Sequence, residues 1–174
     1  MPTIKKLAGV RILGVDPGFD RIGVAIIEGA RGKESLVFSC CIETKRAESH
    51  EQRLAHLSLE LNKIIKKFNP NVLAIEKLFF NLNRNNALKV AEGRGVILSV
   101  ASILGLKAFE YSPQEIKASV TGYGKASKND IEFVISKTMK IPAIKSKRLD
   151  DEFDAIAVAI THSLKGRTFA YPQK

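Results

Sequence analysis

Four acidic residues stand at the ends of apolar segments, where an unpaired carboxylate is costly to bury. Asp16 and Glu76 each end an apolar run, and Asp151 and Asp154 open a third apolar segment. Because Asp151 and Asp154 are three residues apart at the start of a predicted helix, their side chains share one face. Ligand sets made only of oxygen favour a hard cation, Mg²⁺ or Mn²⁺, over zinc. The pattern therefore indicates a divalent metal site, in which two ions could activate a water and stabilise the leaving oxygen of a phosphodiester.

The two acids that end strands also have simpler interpretations. Asp16 precedes a Pro-Gly turn and could merely cap it, and Glu76 could form a surface ion pair with Lys77. If the strands that end at Asp16 and Glu76 are neighbours, however, both carboxylates meet at one sheet edge, where ligand sites of open α/β sheets tend to lie. Gly23, in the next strand, could let another backbone approach closely.

Four acids crowd the start of the last helix, and helical phase separates them into two pairs. Asp150 and Glu152 fit a helix cap and the helix dipole. Asp151 and Asp154 lie on the face that continues into small apolar residues and should pack on the sheet. We therefore assign Asp151 and Asp154 to the metal site and their two neighbours to the helix end.

Apolar periodicity predicts the elements that must position these acids. Five β-like runs predict strands at 10–15, 22–28, 34–44, 72–76 and 107–111. Helical spacing and cap residues predict helices at 50–68, 85–104, 113–120, 127–140 and 150–164. Three antiparallel strands followed by alternating helices and strands indicate an α/β fold with one mixed five-stranded sheet flanked by helices. We expect a single domain over 1–174, with a loose tail at 168–174.

The charge and composition of the chain limit the classes of partner that it is expected to bind. The chain has 174 residues and a formal net charge of +10, which suits a polyanion, nucleic acid above all. A basic chain that is merely soluble is the alternative. No apolar run reaches the ~20 residues of a membrane helix, so no membrane association is expected. The two cysteines, Cys40 and Cys41, are adjacent, lack metal-type spacing and favour a reducing cytoplasm.

The motifs occur together in the order of a known family. From about Arg11 to His162 the chain resembles RuvC, the bacterial Holliday junction resolvases, through the segments Gly14-Val15-Asp16-Pro17-Gly18, Ala74-Ile75-Glu76-Lys77-Leu78-Phe79, Ala87-Leu88-Lys89, Arg94-Gly95, Asp151-Glu152-Phe153-Asp154-Ala155-Ile156-Ala157 and Thr161-His162. The resemblance implies an RNase H-like fold and a homodimer that nicks two opposed strands of a four-way junction symmetrically, in recombination and repair. It implies that the four acids bind Mg²⁺, for which Mn²⁺ can substitute, as two ions per site, and carry the hydrolysis. It also implies the branch-migration proteins RuvA and RuvB as partners.

The same resemblance implies a DNA-binding surface. Phe79 matches the family's aromatic that stacks on a base near the junction, and Lys117 and Lys128 match two lysines near the scissile phosphate. Arg84 and Arg94, in or beside the second predicted helix, are further candidate DNA contacts. The alternatives are core packing for the aromatic and plain solvation for the lysines. The second helix is also the expected dimer face.

One segment departs from the family pattern. Asp20-Arg21-Ile22 replaces the small polar residues usual there, and the stretch 16–26 also resembles the YqgF group, RNase H-like proteins linked to ribosomal RNA processing. YqgF-like chains are shorter and lack a counterpart of 77–95. A YqgF-like nuclease acting on structured RNA therefore stays an alternative. A non-cleaving branched-DNA-binding module and a nucleotide-hydrolysing or sugar-kinase fold are the others.

Overall fold

The described helices pack against a central sheet of five strands. The computed structural model describes residues 10–30, 32–78, 84–139, 141 and 150–165. Its strands are β1 (Val10–Asp16), β2 (Arg21–Gly29), β3 (Ser35–Glu43), β4 (Val72–Glu76) and β5 (Lys107–Tyr111). Its helices are α1 (His50–Phe68), α2 (Arg84–Ile103), α3 (Pro113–Thr121), α4 (Lys128–Thr138) and α5 (Asp150–Lys165). Every predicted strand and helix is confirmed, with small shifts at the ends.

Some predictions fall outside the described part of the chain. The tail at 168–174 and the aromatic Phe79 lie in segments that the structure does not describe, and of Arg84 only the backbone is described. Among the described helices, none is long and apolar enough to cross a membrane.

The sheet is mixed, with the strand order β3-β2-β1-β4-β5. β2 pairs antiparallel with both β1 and β3, whereas β4 lies parallel to both β1 and β5. In the β1–β4 ladder Val15 pairs with Ile75, so Asp16 and Glu76 are the next residues on two neighbouring parallel strands. The condition for the two carboxylates to meet at one sheet edge is therefore fulfilled.

Successive side chains of the sheet point into two separate apolar layers. Leu13 packs in the layer formed with α1 and α2, and Ile12 packs in the layer formed with α3, α4 and α5. Asp16 lies four residues after Ile12 on β1, so its side chain points to the same face of the sheet, the one covered by α3, α4 and α5. Glu76 does the same, since its partner in the parallel ladder is Tyr111 of that layer.

Serine caps fix where two of the helices near this edge begin. Ser112 and Ser127 each form a capping box at the start of α3 and α4. The reciprocal bonds satisfy backbone N–H groups that a helix start leaves without partners. These caps hold the first turns of the helices that carry Lys117 and Lys128.

Candidate active site

Two glycines let α5 lie directly against the sheet. A Cβ atom on Gly14 would overlap the carbonyl oxygen of Ala155. A Cβ atom on Gly23, the partner of Asp16 in the β1–β2 ladder, would overlap the carbonyl oxygen of Asp151 and lie 2.6 Å from its carbonyl carbon. The close approach predicted at Gly23 is confirmed. It places the start of α5 over the end of β1.

The four predicted carboxylates come together at this edge of the sheet. Burial, followed by the nearby charges of Glu76, Asp154 and Asp151, raises the pKa of Asp16 to about 7, while Lys128 opposes them. Burial likewise raises the pKa of Glu76 to about 7, with a contribution from Asp154. Groups perturb each other's pKa in this way only when they are close, so the strand ends and the helix start form one site.

Two of the four carboxylates have a basic partner. Lys128 Nζ lies 2.6 Å from Asp154 Oδ2, and Arg21 Nη2 lies 2.6 Å from Asp151 Oδ2. The thiol of Cys41 lies on the same Asp151 oxygen, at 3.9 Å from Sγ to Oδ2. Asp151 and Asp154 therefore carry charges that are already compensated by neighbouring cations.

Glu152 contacts the sheet. Its side chain is buried, and the Ser39 hydroxyl on β3 donates a hydrogen bond of 2.5 Å to Glu152 Oε2. Glu152 lies in the first turn of α5, as predicted for an acid that suits the helix dipole, but its side chain turns toward the sheet and bonds to β3. Asp150 is exposed at the first position of α5.

The donor set suits a hard divalent cation. All the candidate ligands are carboxylates, and burial with mutual repulsion raises the pKa of Asp16 and Glu76, a penalty that a cation between them relieves. Within the described part of the chain, no three His, Cys, Asp or Glu side chains stand close enough together to hold an ion. Asp151 and Asp154 bond to basic residues instead. The residues fit the implied metal by their chemistry, and these two must leave their basic partners to bind it.

We expect Asp16→Asn to stabilise the metal-free protein in a pH-dependent way. The folded-state pKa of about 7 lies above the ordinary 3.8, so folding favours the protonated carboxyl. Its contribution to stability is complete below about pH 4 and is lost as the pH rises to about 7. At about pH 8 the substitution should raise the melting temperature by several degrees, and at about pH 4 it should change it little.

Thermal unfolding in EDTA across this pH range measures the effect. Asp130 gives a control of opposite sign, because the backbone N–H of Ser127 donates to its carboxylate and lowers its pKa. The stabilising contribution of Asp130 is present above the ordinary pKa and is lost as the pH falls. Asp130→Asn should therefore destabilise the protein most at neutral pH. A gain for Asp16→Asn that stays constant over the whole range would contradict the buried-charge explanation.

Two lysines border the carboxylates. The charges of Lys128, at the start of α4, and of Lys117, on α3, both lower the pKa of Glu76. The loop between these helices is braced by the Thr121 hydroxyl, which accepts a 3.1 Å hydrogen bond from the N–H of Tyr123. The ring of Tyr123 is exposed. Both predicted lysines thus lie at the carboxylate site, on a firmly held backbone.

Arg94 lies apart from this group. Its guanidinium forms a 2.7 Å ion pair with Glu110 on β5, and its side chain is only 17% exposed. In the ladder Glu110 pairs with Ile75, on the face of the sheet that α1 and α2 cover. The placement favours packing between α2 and β5, and a DNA contact by Arg94 stays a prediction. So do the contacts of Phe79 and Arg84, whose side chains lie outside the described residues.

The residues that depart from the family pattern brace the turn after Asp16. Asp20 accepts a 2.5 Å hydrogen bond from the buried Arg53 and a 2.9 Å bond from Arg46. The Arg53 guanidinium also lies over the Phe19 ring, 3.7 Å from its centre. These contacts tie the β1–β2 turn to α1. The turn that follows Asp16 is therefore fixed by contacts with α1 and Arg46, in addition to its pairing within the sheet.

Sequence reasoning missed the role of Arg21 in this site. The alternation of side chains along β2 could have indicated this role. Gly23 faces α5, and Arg21, two residues earlier on the same strand, points to the same face of the sheet. Recognising this required the β1–β2 register and the position of α5, which motifs alone do not supply.

Comparison with known proteins now identifies the family. The model of the family described as crossover junction endodeoxyribonuclease RuvC matches residues 12–162. The chain belongs to the RuvC family. The match includes 77–95, the segment for which YqgF-like chains have no counterpart. RuvC enzymes are metal-dependent nucleases, which agrees with the donor chemistry of the site.

Individual RuvC proteins are similar over nearly the whole chain. The RuvC of Thermotoga petrophila is 41% identical over 158 residues, which cover 91% of this chain and 94% of that protein. The RuvC of Brachyspira hyodysenteriae is 39% identical over 157 residues, covering 90% and 96%. The structure of Thermus thermophilus RuvC gives a TM-score of 0.80 at 25% identity, covering 91% and 96%. The structure described as T. thermophilus RuvC in complex with Holliday junction substrate gives 0.84 at 24%, covering 91% and 95%. The predicted RNase H-like fold is confirmed.

Proposed function

We propose that this chain is a metal-dependent endonuclease that resolves Holliday junctions by symmetric nicking of two opposed strands, in homologous recombination and DNA repair. The observation that carries the proposal is the meeting of four carboxylates at one sheet edge, beside two lysines, in a chain of the RuvC family. Its relatives are named crossover junction endodeoxyribonucleases. One solved RuvC is described with a Holliday junction substrate, which supports the same substrate here.

Asp16, Glu76, Asp151 and Asp154 are the residues that would hold the metal, as two Mg²⁺ ions per site, with Mn²⁺ as a substitute. When bound, such ions lower the pKa of a water molecule and stabilise the leaving oxygen. The negative charges of the carboxylates attract divalent cations, and this attraction is stronger where the carboxylates are buried away from water. Because the pKa values of Asp16 and Glu76 are raised to about 7, loading the site displaces protons from them near neutral pH.

The lysines at the rim orient the DNA phosphate. Lys128 already contacts Asp154 at 2.6 Å, and Lys117 is close enough to lower the pKa of Glu76. An ammonium group beside the carboxylates can donate to a phosphate oxygen and offset the repulsion between that phosphate and the acids. We assign both residues to the scissile phosphate. Phe79 is assigned to base stacking, and Arg84 and Arg94 to the DNA backbone.

A two-fold dimer suits this substrate, because a junction presents two equivalent strands to two equivalent sites. We assign the dimer face to α2, which exposes the apolar side chains of Leu88 and Ile103. RuvA and RuvB are the proposed partners in branch migration. Cys40 and Cys41 are both free thiols, which suits a reducing compartment, and we place the enzyme in the cytoplasm.

Cleavage of a synthetic four-way junction tests this function. We expect paired nicks in opposed strands with Mg²⁺ or Mn²⁺, none in EDTA, and a loss of cleavage in Asp154→Asn. A linear duplex of the same sequence is the control for structure selectivity and should stay intact. Binding without cleavage in either metal would make the chain a binding module. Preferential cleavage of structured RNA would indicate the YqgF-like alternative instead.

A further inference from the structure

The carboxylates of the site fall into two classes. Within the described residues, Asp16 and Glu76 form no ion pair, whereas Asp151 and Asp154 each bond to a cation at 2.6 Å. The first two stand at strand ends, under α5. The other two stand at the rim, with 26% and 18% of their side chains exposed. A metal ion entering this site therefore meets two unpaired acids and two whose charges are already compensated.

Arg21 is built to release its partner. Its backbone is fixed as the first residue of β2, opposite Glu43 in the β2–β3 ladder, but its side chain is 44% exposed. Arg53, in contrast, is buried, whereas the half-exposed Arg21 bonds to Asp151 and to Cys41. Exposed ion pairs are weak, so the guanidinium can leave the Asp151 carboxylate at little cost in free energy.

Asp151 is a poorer ligand for a divalent cation while it keeps this guanidinium. The two positive charges would repel each other across one carboxylate, and Oδ2 is already bonded to Arg21, so the contact weakens metal binding at Asp151. A guanidinium that leaves needs another anion, and two oxygens of a phosphate can accept bidentate hydrogen bonds from the planar guanidinium of arginine. The substrate brings such a phosphate to the same rim.

We propose that Arg21 exchanges Asp151 for a DNA phosphate, so that Asp151 becomes available as a metal ligand only when the junction is bound. The inference rests on the proposed function and makes Arg21 a positioning residue of the same site. Coupling of this kind is reciprocal: a junction that draws Arg21 away raises metal affinity, and a bound metal raises junction affinity by the same factor.

Metal binding to the DNA-free protein tests the first half of the exchange. We expect Arg21→Ala to bind Mn²⁺ about five-fold more tightly than the wild type in titration calorimetry, because Asp151 then loses the cation that compensates its charge. Arg21→Lys, which keeps the charge, should stay near the wild type. Arg46→Ala is the matched control, since Arg46 forms an exposed ion pair with Asp20 and does not touch the candidate ligands. Equal Mn²⁺ affinity of Arg21→Ala and wild type would overturn the proposal.

The salt dependence of junction binding tests the second half. In Ca²⁺, with the DNA verified as intact on a denaturing gel, Arg21→Ala should lower the slope of log K against log salt concentration by about one. Arg46→Ala should leave that slope unchanged, and an unchanged slope in Arg21→Ala would also overturn the exchange. Melting temperatures show that each variant is folded. If the wild type cleaves junctions while either result fails, only this inference is lost; if the wild type does not cleave, the proposed function fails first.

Discussion

Asp16→Asn will abolish junction cleavage while leaving junction binding nearly unchanged. Asp16 lies at the centre of the carboxylate group, where Glu76, Asp154 and Asp151 all raise its pKa. An amide keeps the shape of the side chain but removes the charge that a metal ligand needs. We expect the cleavage rate to fall on the order of 1000-fold, because both the metal and the water it would activate are lost. Single-turnover cleavage and gel-shift titration of the same junction measure the two properties.

Asp150→Asn is the matched control for this loss. Asp150 starts α5 directly beside Asp151, is exposed, and lies off the face that meets the sheet. The Asp150→Asn substitution removes the same charge from the same region of the protein as Asp16→Asn. It should keep the cleavage rate within about two-fold of the wild type. The melting temperature of Asp16→Asn, measured in the cleavage buffer, shows that the variant is folded where its inactivity is recorded. Cleavage by Asp16→Asn at the wild-type rate would show that the site is assigned wrongly.

Gly23→Ala will strongly destabilise the fold. A methyl group at Gly23 would overlap the carbonyl oxygen of Asp151 and lie 2.6 Å from its carbonyl carbon, both of which belong to the backbone of α5. Backbone atoms cannot swing aside as a flexible side chain can, so α5 has to lift from the sheet. We expect a loss of about 3 kcal/mol or more, which lowers the melting temperature by roughly 10 °C. Gly14→Ala should behave alike, because its Cβ would also lie 2.8 Å from Cβ of Ala159.

Gly95→Ala separates this steric effect from a general intolerance of glycine substitutions. Gly95 lies within α2, and a Cβ atom there has open space around it. Alanine has the higher helix propensity, so this variant should gain about 0.5–1 kcal/mol. Differential scanning calorimetry of the three alanine variants makes the comparison. A melting temperature of Gly23→Ala within about 2 °C of the wild type would mean that α5 does not pack as closely as the structure shows.

The fold and the strand-borne half of the candidate site could be predicted because apolar runs end at the candidate ligands. Val15 and Ile75 are buried, and the residue after each is an acid, so strand ends and candidate ligands were located together. The antiparallel and parallel order of the strands followed from the order of elements along the chain. Helical phase then placed Asp151 and Asp154 on the face toward the sheet, as the structure does.

The rest depended on contacts between distant segments. Glu152 follows Asp151 by one helical position, and its place in the sequence indicated a role at the helix end only. Ser39, more than a hundred residues away, makes its burial tolerable by donating a hydrogen bond. The pairing of Arg21 with Asp151 likewise depends on the register of β2 and on the seat of α5. Pairs of this kind have no local signature, because each partner taken alone is an ordinary surface residue.

The close seat of α5 also bears on how this enzyme can evolve. Residues 155–159 of the helix are fully buried, directly after the two acids that it carries. Segments so deep in a core open only when the whole domain unfolds. The positions of Asp151 and Asp154 are therefore held as rigidly as the core itself. Substitutions that keep the protein folded will therefore tend to keep the catalytic geometry as well. New substrate preferences can then arise by drift in the exposed loops and rim cations, with the hydrolytic centre left as it is.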